Sequence, residues 1–81
     1  MTRGEAKAFC ERRALSGVSF TSTQLKSSLI RENGGLSVVT DGMNCRGIAE
    51  DTIHRLWHDG NIDFVRNGRE RIFYVVSKVI A

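Results

Sequence analysis

Residues 47–76 read GIAEDTIHRLWHDGNIDFVRNGRERIFYVV, and this stretch decides the fold. In its first half, apolar residues recur at three- and four-residue steps, which is the period of a helix with one apolar side. They are Ala49, Ile53, Leu56 and Trp57. We expect all four to lie in the core. The pattern predicts a helix over residues 48–59 that ends at Gly60.

The second half of the stretch predicts a β-hairpin over residues 61–76. Asn67-Gly68 is typical of a two-residue type I′ turn, because both residue types tolerate positive φ. A turn at that dipeptide places Arg66 directly opposite Arg69. The hairpin is then apolar at its base and cationic at its tip. The tip carries three arginines: Arg66, Arg69 and Arg71.

Two further helices are predicted upstream, over residues 3–16 and 21–33. Each begins with the spacing of a capping box, in which a threonine is followed three residues later by Glu or Gln. The two pairs are Thr2 with Glu5 and Thr21 with Gln24. Gly17 and the run Asn33-Gly34-Gly35 supply the stops. The expected core residues of these helices are Ala6, Phe9, Cys10, Ala14, Leu25, Leu29 and Ile30.

The segment between the second and third helices has the weakest pattern. Residues 36–40 fit either a short strand or an extended connection, and Asp41-Gly42 is a turn signal. The connection from Asn33 to Gly47 is long for a compact domain. Residues 34–47 could therefore also form a separate contact surface.

The order helix, helix, helix, hairpin fits one α+β domain over residues 1–81. Residues 47–62 and 65–74 resemble the recognition helix and wing of the winged helix-turn-helix DNA-binding superfamily. The positions that carry the resemblance are Thr52, Ile53, Arg55, Leu56, Gly60 and Ile62. The resemblance implies a small winged helix-turn-helix fold, three helices followed by a β-hairpin wing, that binds double-stranded DNA. The long connection departs from the tight turn usual in that superfamily.

A helix fits the major groove, where its exposed side chains can reach base edges. Arg55 could pair with guanine, Glu50 could accept from a cytosine amine, and Thr52 could contact a phosphate or a thymine methyl. Three clustered guanidinium groups on the wing suit phosphates or a narrow minor groove. The complete set of expected nucleic-acid contacts is Arg46, Glu50, Thr52, His54, Arg55, His58, Arg66, Arg69 and Arg71.

Charge and length narrow the function further. Twelve Lys and Arg against nine Asp and Glu give a net charge of +3, which fits a partner that is a polyanion. We expect a small transcriptional regulator of prokaryotic, phage or plasmid type, which as a homodimer could read a two-fold site. Its dimer interface could include the apolar tail residues Val75, Val76, Val79 and Ile80. The alternative is a protein–protein interaction module on the same fold, which the acidic pair Glu50-Asp51 favours.

Several other functions are not expected. The glycines lack a phosphate-binding pattern, and 81 residues leave little room for a closed catalytic pocket, so we expect no enzyme activity. His54 and His58 have a metal-ligand spacing, but neither Cys10 nor Cys45 belongs to a Cys-x-x-Cys pair, so we expect no metal, cofactor or small-molecule ligand. The sequence shows no signal peptide and no apolar run that could span a bilayer, so the expected location is the cytoplasm, away from membranes. In that reducing compartment we expect both thiols to be free, with a single disulfide as the alternative.

Overall fold

The computed structural model describes residues 1–76 and contains the predicted order of elements. The helices are α1 (Arg3–Ala14), α2 (Ser22–Glu32) and α3 (Cys45–His58), and the strands are β1 (Ile62–Asn67) and β2 (Glu70–Val75). Three helices followed by an antiparallel hairpin confirm the expected α+β class. Of the apolar tail proposed as a dimer interface, Val79 and Ile80 lie outside the described residues.

Both capping boxes are present. The hydroxyl of Thr2 accepts from the Glu5 amide while the Glu5 carboxylate accepts from the Thr2 amide, and Thr21 and Gln24 make the same reciprocal bonds. Each box satisfies two backbone donors that the first helical turn would otherwise leave without a partner. These local signals therefore fixed the starts of α1 and α2 where the sequence predicted them. Helix α1 ends two residues earlier than expected.

Helix α3 begins at Cys45, three residues before the predicted start. The side chain of Asn44 accepts from the Arg46 amide at 2.9 Å, so Asn44 is the N-cap. Gly47 therefore lies inside the helix and does not precede it. Cys45 and Ile48 are both buried, and this packing holds the first turn in the helix.

The long connection between α2 and α3 is organised by one buried amide. Asn33 is 8% exposed, and its Nδ2 donates to the carbonyl oxygens of Leu36 and Val38, both at 2.9 Å. The Cys45 amide donates to the carbonyl of Ser37 at 2.8 Å. The connection is thus tied down at its start and its end, and the carbonyls of Leu36, Ser37 and Val38 have hydrogen-bond donors within the domain.

The middle of the connection is a tight turn, as Asp41-Gly42 predicted. The Val39 amide donates to the Met43 carbonyl at 2.9 Å, and the Met43 amide donates to the Asp41 carboxylate at 3.1 Å. The segment has no full strand, since only an isolated bridge joins Val38 and Asn44.

The core lies where α3 packs against α1, α2 and the base of the hairpin. Fourteen buried apolar side chains form one cluster. They are Ala6, Cys10, Ala14, Phe20, Leu25, Leu29, Val39, Cys45, Ile48, Ala49, Ile53, Leu56, Ile62 and Phe73. Burial of apolar surface on this scale is the main stabilising contribution in a domain of this size.

The hairpin turn differs from the prediction by one residue. Asn67 pairs with Glu70, so the turn residues are Gly68 and Arg69, and Arg66 lies opposite Arg71. Gly68 has a φ of 65°, whereas within residues 1–76 no residue other than glycine, Arg69 included, has a positive φ. Glycine at the first turn position is the pattern of a type II′ turn, so the expected type I′ turn at Asn67-Gly68 is wrong.

Two backbone connections fix the hairpin on the helices. Phe20 and Phe73 exchange amide–carbonyl bonds of 3.0 and 2.8 Å, so the residue before the α2 cap adds a one-residue third strand beside β2. At the hairpin root, the Asn61 amide donates to the Leu56 carbonyl at 2.9 Å, and the Asn61 carbonyl accepts from the Val76 amide at 3.0 Å. Together they set the position of the hairpin relative to α3.

Candidate nucleic-acid interface

An open groove of about 810 Å³ lies between the start of α2, one side of α3 and the hairpin. Its lining residues are Thr21, Ser22, Thr23, Glu50, Ile53, His54, Trp57, Phe64, Arg69, Glu70, Arg71 and Phe73. The groove brings part of the exposed side of α3, including His54, onto one surface with Arg69 and Arg71 of the wing. The two elements to which the sequence analysis assigned nucleic-acid contacts therefore border the same groove.

The three wing arginines are exposed and available. None of Arg66, Arg69 and Arg71 forms an ion pair within residues 1–76. Arg66 and Arg71 face each other across the two strands, an arrangement of like charges that is unfavourable without an anion nearby. The Arg71 guanidinium lies 4.9 Å from the centroid of the Phe64 ring, a cation–π contact that directs it along the groove.

The basic residues of α3 are more constrained. Arg46 is exposed in the first turn, with its Nε 3.2 Å from Oε1 of Glu50. Arg55 pairs with Glu11 of α1, and it does not line the groove. The expected contact of Arg55 with guanine therefore competes with a carboxylate of the same chain. A surface pair of this kind contributes roughly 0.2–1 kcal/mol, so an outside anion can displace it.

Thr52 is not on the candidate surface. Its side chain is 0% exposed, and its hydroxyl donates to the Ile48 carbonyl at 2.9 Å. The expectation that Thr52 contacts a phosphate or a thymine methyl is wrong, because the residue is part of the core between the helices.

The two histidines remain on the surface. His54 and His58 are exposed, and their ring centroids are 6.4 Å apart. Nδ1 of His58 lies 3.9 Å from Oδ1 of Asp59, and the two residues form an ion pair only when the imidazole is protonated. His54 lines the groove, whereas His58 lies one turn further along α3 and outside it.

Trp57 is the main departure from the predicted core. Ala49, Ile53 and Leu56 are buried as expected, but Trp57 is 45% exposed and lines the groove. Its ring centroid is 6.3 Å from that of Phe64. The sequence analysis also missed Phe64 and the hydroxyls of Ser22 and Thr23 at the start of α2. The only signal for the hydroxyls was their position directly after a helix cap.

Both cysteines are buried free thiols. Burial, with smaller contributions from Cys45 and Glu11, raises the pKa of Cys10 to about 11, and burial also raises the pKa of Cys45. A thiol that stays protonated is a poor nucleophile and a poor metal ligand. Residues 1–76 contain no cluster of three or more His, Cys, Asp or Glu side chains suited to a metal ion. In the same part of the chain, no helix has the length and apolar character needed to cross a bilayer.

Comparison with known proteins finds a similar structure but no similar sequence family. A scan against protein-family models finds no match, and a search of curated proteins finds none either. Among solved structures, a chain of HOP2 is similar, with a TM-score of 0.56 and 12% sequence identity over 91% of this chain and 97% of the HOP2 chain. That HOP2 structure was described in terms of DNA recognition, protein interaction and homologous DNA pairing. The three helices, the hairpin and this likeness define a winged-helix fold, in which the hairpin β1–β2 is the wing.

Proposed function

We propose that this chain binds double-stranded DNA as a small transcriptional regulator of prokaryotic, phage or plasmid type. The observation that carries the proposal is a set of three exposed arginines without carboxylate partners in residues 1–76, on a wing that shares one groove with α3. Fixed, uncompensated positive charge beside an exposed helix is suited to a duplex, which presents a dense line of phosphates next to readable base edges.

In the proposed complex, α3 enters the major groove and the wing lies along the adjacent backbone. Arg66, Arg69 and Arg71 neutralise phosphates or enter a narrow minor groove, which gives affinity more than sequence preference. His54 and Glu50 are the α3 side chains placed to reach base edges from within the groove. Arg46 adds a backbone contact once it leaves Glu50.

A single domain of this size buries little DNA surface, so we propose that two copies bind a two-fold site. The likeness to HOP2, itself described in terms of DNA recognition, supports the proposed DNA binding at the level of fold.

The test removes the wing charges together. A variant carrying Arg66→Gln, Arg69→Gln and Arg71→Gln should bind a pool of genomic duplex fragments about 100-fold more weakly at low salt, if each charge-assisted contact contributes about 1 kcal/mol. The slope of log affinity against log salt should fall by about 0.9 per lost phosphate contact. Fluorescence anisotropy at several salt concentrations measures both quantities.

The matched control changes the same number of charges elsewhere. Arg12→Gln, Lys26→Gln and Arg31→Gln remove three charges from α1 and α2 outside the groove. This variant should keep most of the affinity and of the slope. An equal loss in both variants would mean that binding depends on net charge alone and would contradict the proposed interface.

The alternative is a protein-interaction module. It is favoured by exposed apolar side chains on the connection, Leu36 at 65% and Val38 at 44%, and by the carboxylates of Glu50 and Glu70 in the groove. If the unmodified protein retains no duplex fragment even at low salt, this alternative replaces DNA binding.

A further inference from the structure

The groove contains an aromatic platform that the duplex contacts proposed above do not use. Trp57 is the chain's only tryptophan and is 45% exposed. A half-exposed indole forgoes part of the stabilisation that burial would give, and exposed tryptophans are enriched at contact sites. Its place, in the last turn of α3 beside the wing residue Phe64, requires an explanation beyond core packing.

The platform is supported from behind by the core. The ring centroid of Trp57 is 6.3 Å from that of Phe64, which is 5.7 Å from that of Phe73. Phe73 in turn stacks on Phe20 at 5.6 Å, and both of these rings are buried. Because this row of rings ends in the core and the Arg71 guanidinium lies over Phe64, the exposed ring of Trp57 is the one available to a planar ligand, and it loses little conformational entropy when such a ligand stacks on it.

The charges around the platform suit a nucleobase better than a phosphate. Glu50 and Glu70 line the groove together with Arg69 and Arg71 but form no ion pair with them, and Glu50 lies 3.2 Å from Arg46. A carboxylate repels a phosphate but accepts hydrogen bonds from the exocyclic amines of cytosine and adenine. Phosphates would instead remain with the guanidinium groups, and the N–H groups of the first turn of α2 offer a further anion contact at the groove edge.

The size of the groove permits such a ligand. Its volume of about 810 Å³ lies within the range of roughly 300–1,000 Å³ that accommodates drug-sized molecules, which are comparable to a nucleotide. A base inside an intact duplex cannot enter, because both of its faces are covered by its neighbours in the stack. The ligand must therefore present an unstacked base.

We propose that the groove binds an unpaired base next to a duplex, by stacking it on Trp57. This inference rests on the proposed DNA binding and narrows its substrate to a duplex with a single-stranded extension. The wing arginines hold the backbone of the duplex while the first unpaired base enters the groove. Stacking on an aromatic side chain is worth about 1–3 kcal/mol per base, equivalent to roughly 5- to 100-fold in affinity.

The experiment compares three DNA molecules with one duplex sequence. The first is blunt, the second has an extension of about four unpaired nucleotides, and the third has an abasic extension of the same length and charge. The extension with bases should bind roughly 5- to 100-fold more tightly than the abasic extension at the same salt concentration. Trp57 fluorescence should be quenched more strongly at saturation by the extension with bases, and since the chain has no other tryptophan the signal reports this site directly.

Variants test whether Trp57 is the source of the preference for the extension with bases over the abasic extension. Trp57→Leu should reduce the affinity ratio between the two extensions to about 1, and Trp57→Phe should keep part of it. The matched control is Tyr74→Leu, because Tyr74 is an exposed aromatic residue of the wing that does not line the groove. This control should leave the ratio unchanged.

The outcomes separate the two proposals. If the blunt duplex binds but the ratio for the unmodified protein is near 1, the base site is wrong and the proposed function stands. A ratio that persists in Trp57→Leu also contradicts the base site. If no DNA binds at low salt, both proposals are wrong. Should Trp57→Leu fail to fold, the difference in quenching with the unmodified protein still decides the question.

Discussion

Helix α3 and the wing face the same groove, but they are held and charged in opposite ways. Six residues of α3 are buried, and its two arginines each have a carboxylate partner. The wing buries only Ile62 and Phe73, and its three arginines form no ion pair within residues 1–76. The helix therefore provides a fixed position, whereas the wing provides available charge.

This division follows from the chemistry of each part. A helix packed on two others can hold exposed side chains precisely, but its charges lie close to those of its neighbours and become paired. A hairpin that extends beyond the core has few neighbours, so its charges stay uncompensated and contribute little to folding. Stability and affinity should therefore respond to different substitutions.

The largest expected effect distinguishes the base of the wing from its tip. Phe73→Ala removes a ring that packs between Phe20 and Phe64 and should lower the free energy of unfolding by about 3–5 kcal/mol. Arg69→Ala, at the exposed turn, should change it by no more than about 0.5 kcal/mol. Urea denaturation measures both values. Similar losses in the two variants would show that the tip also supports the fold.

The next largest expected effect is a pH dependence of stability that arises in helix α1 and does not involve the wing. Cys10 of α1 is buried, and its pKa is raised to about 11 from an ordinary value of 9.0. Between these values the unfolded chain loses the thiol proton while the folded chain keeps it, so stability falls as the pH rises through this window. The loss should reach about 2–3 kcal/mol by pH 11, at about 1.4 kcal/mol per pH unit. Denaturation at several alkaline pH values measures it.

Cys10→Ala provides the control for this pH dependence. Other groups that titrate in the same range are present in both proteins, so the difference between their pH profiles isolates this thiol. The variant should be less stable at neutral pH and should lose less stability on going to pH 11. Parallel profiles would contradict the assignment.

The smallest expected effect concerns the ion pair that holds Arg55 of α3 on Glu11 of α1. Glu11→Gln releases Arg55 from its partner on α1 and should raise the affinity for duplex DNA about fivefold, equivalent to roughly 1 kcal/mol. The salt slope should also steepen by up to about 0.9 if Arg55 gains a phosphate contact. Glu32→Gln is the matched control, since it removes one exposed carboxylate away from both the groove and Arg55. Equal gains in the two variants would show a net-charge effect only.

The features that depend on local sequence were predictable. Thr21 with Gln24, and Thr2 with Glu5, fix helix starts through bonds that span three residues. The order of the elements follows from local pattern, and periodicity predicted three of the six buried residues of α3, namely Ala49, Ile53 and Leu56. A sequence alone therefore yielded the fold class and the wing arginines.

The errors arose where distant packing decided the outcome. The local preference of Asn67-Gly68 for a type I′ turn was outweighed, because the observed register places Phe64 opposite Phe73 at the base of the wing. Helical period could not show that Trp57 lies where α3 extends past the core.

Contacts between residues far apart in the chain could not be predicted from the sequence either. The partner of Arg55 is Glu11, 44 residues earlier in the chain, and nothing in the sequence near either residue indicates the contact. Thr52 has the residue type of a DNA contact, but its burial depends on how α3 packs against the other helices.

The junction at Asn61 has a consequence for how this architecture varies among proteins. The peptide groups of this residue join the last turn of α3 to both strands of the wing, and no side chain takes part in either bond. Side chains around the junction can therefore change without removing a donor or acceptor of either bond, except at Gly60, whose φ of 79° favours glycine. Bonds of this kind depend on the fold of the main chain, and the likeness to a HOP2 chain over 91% of this chain at 12% identity shows that such a fold is compatible with very different sequences.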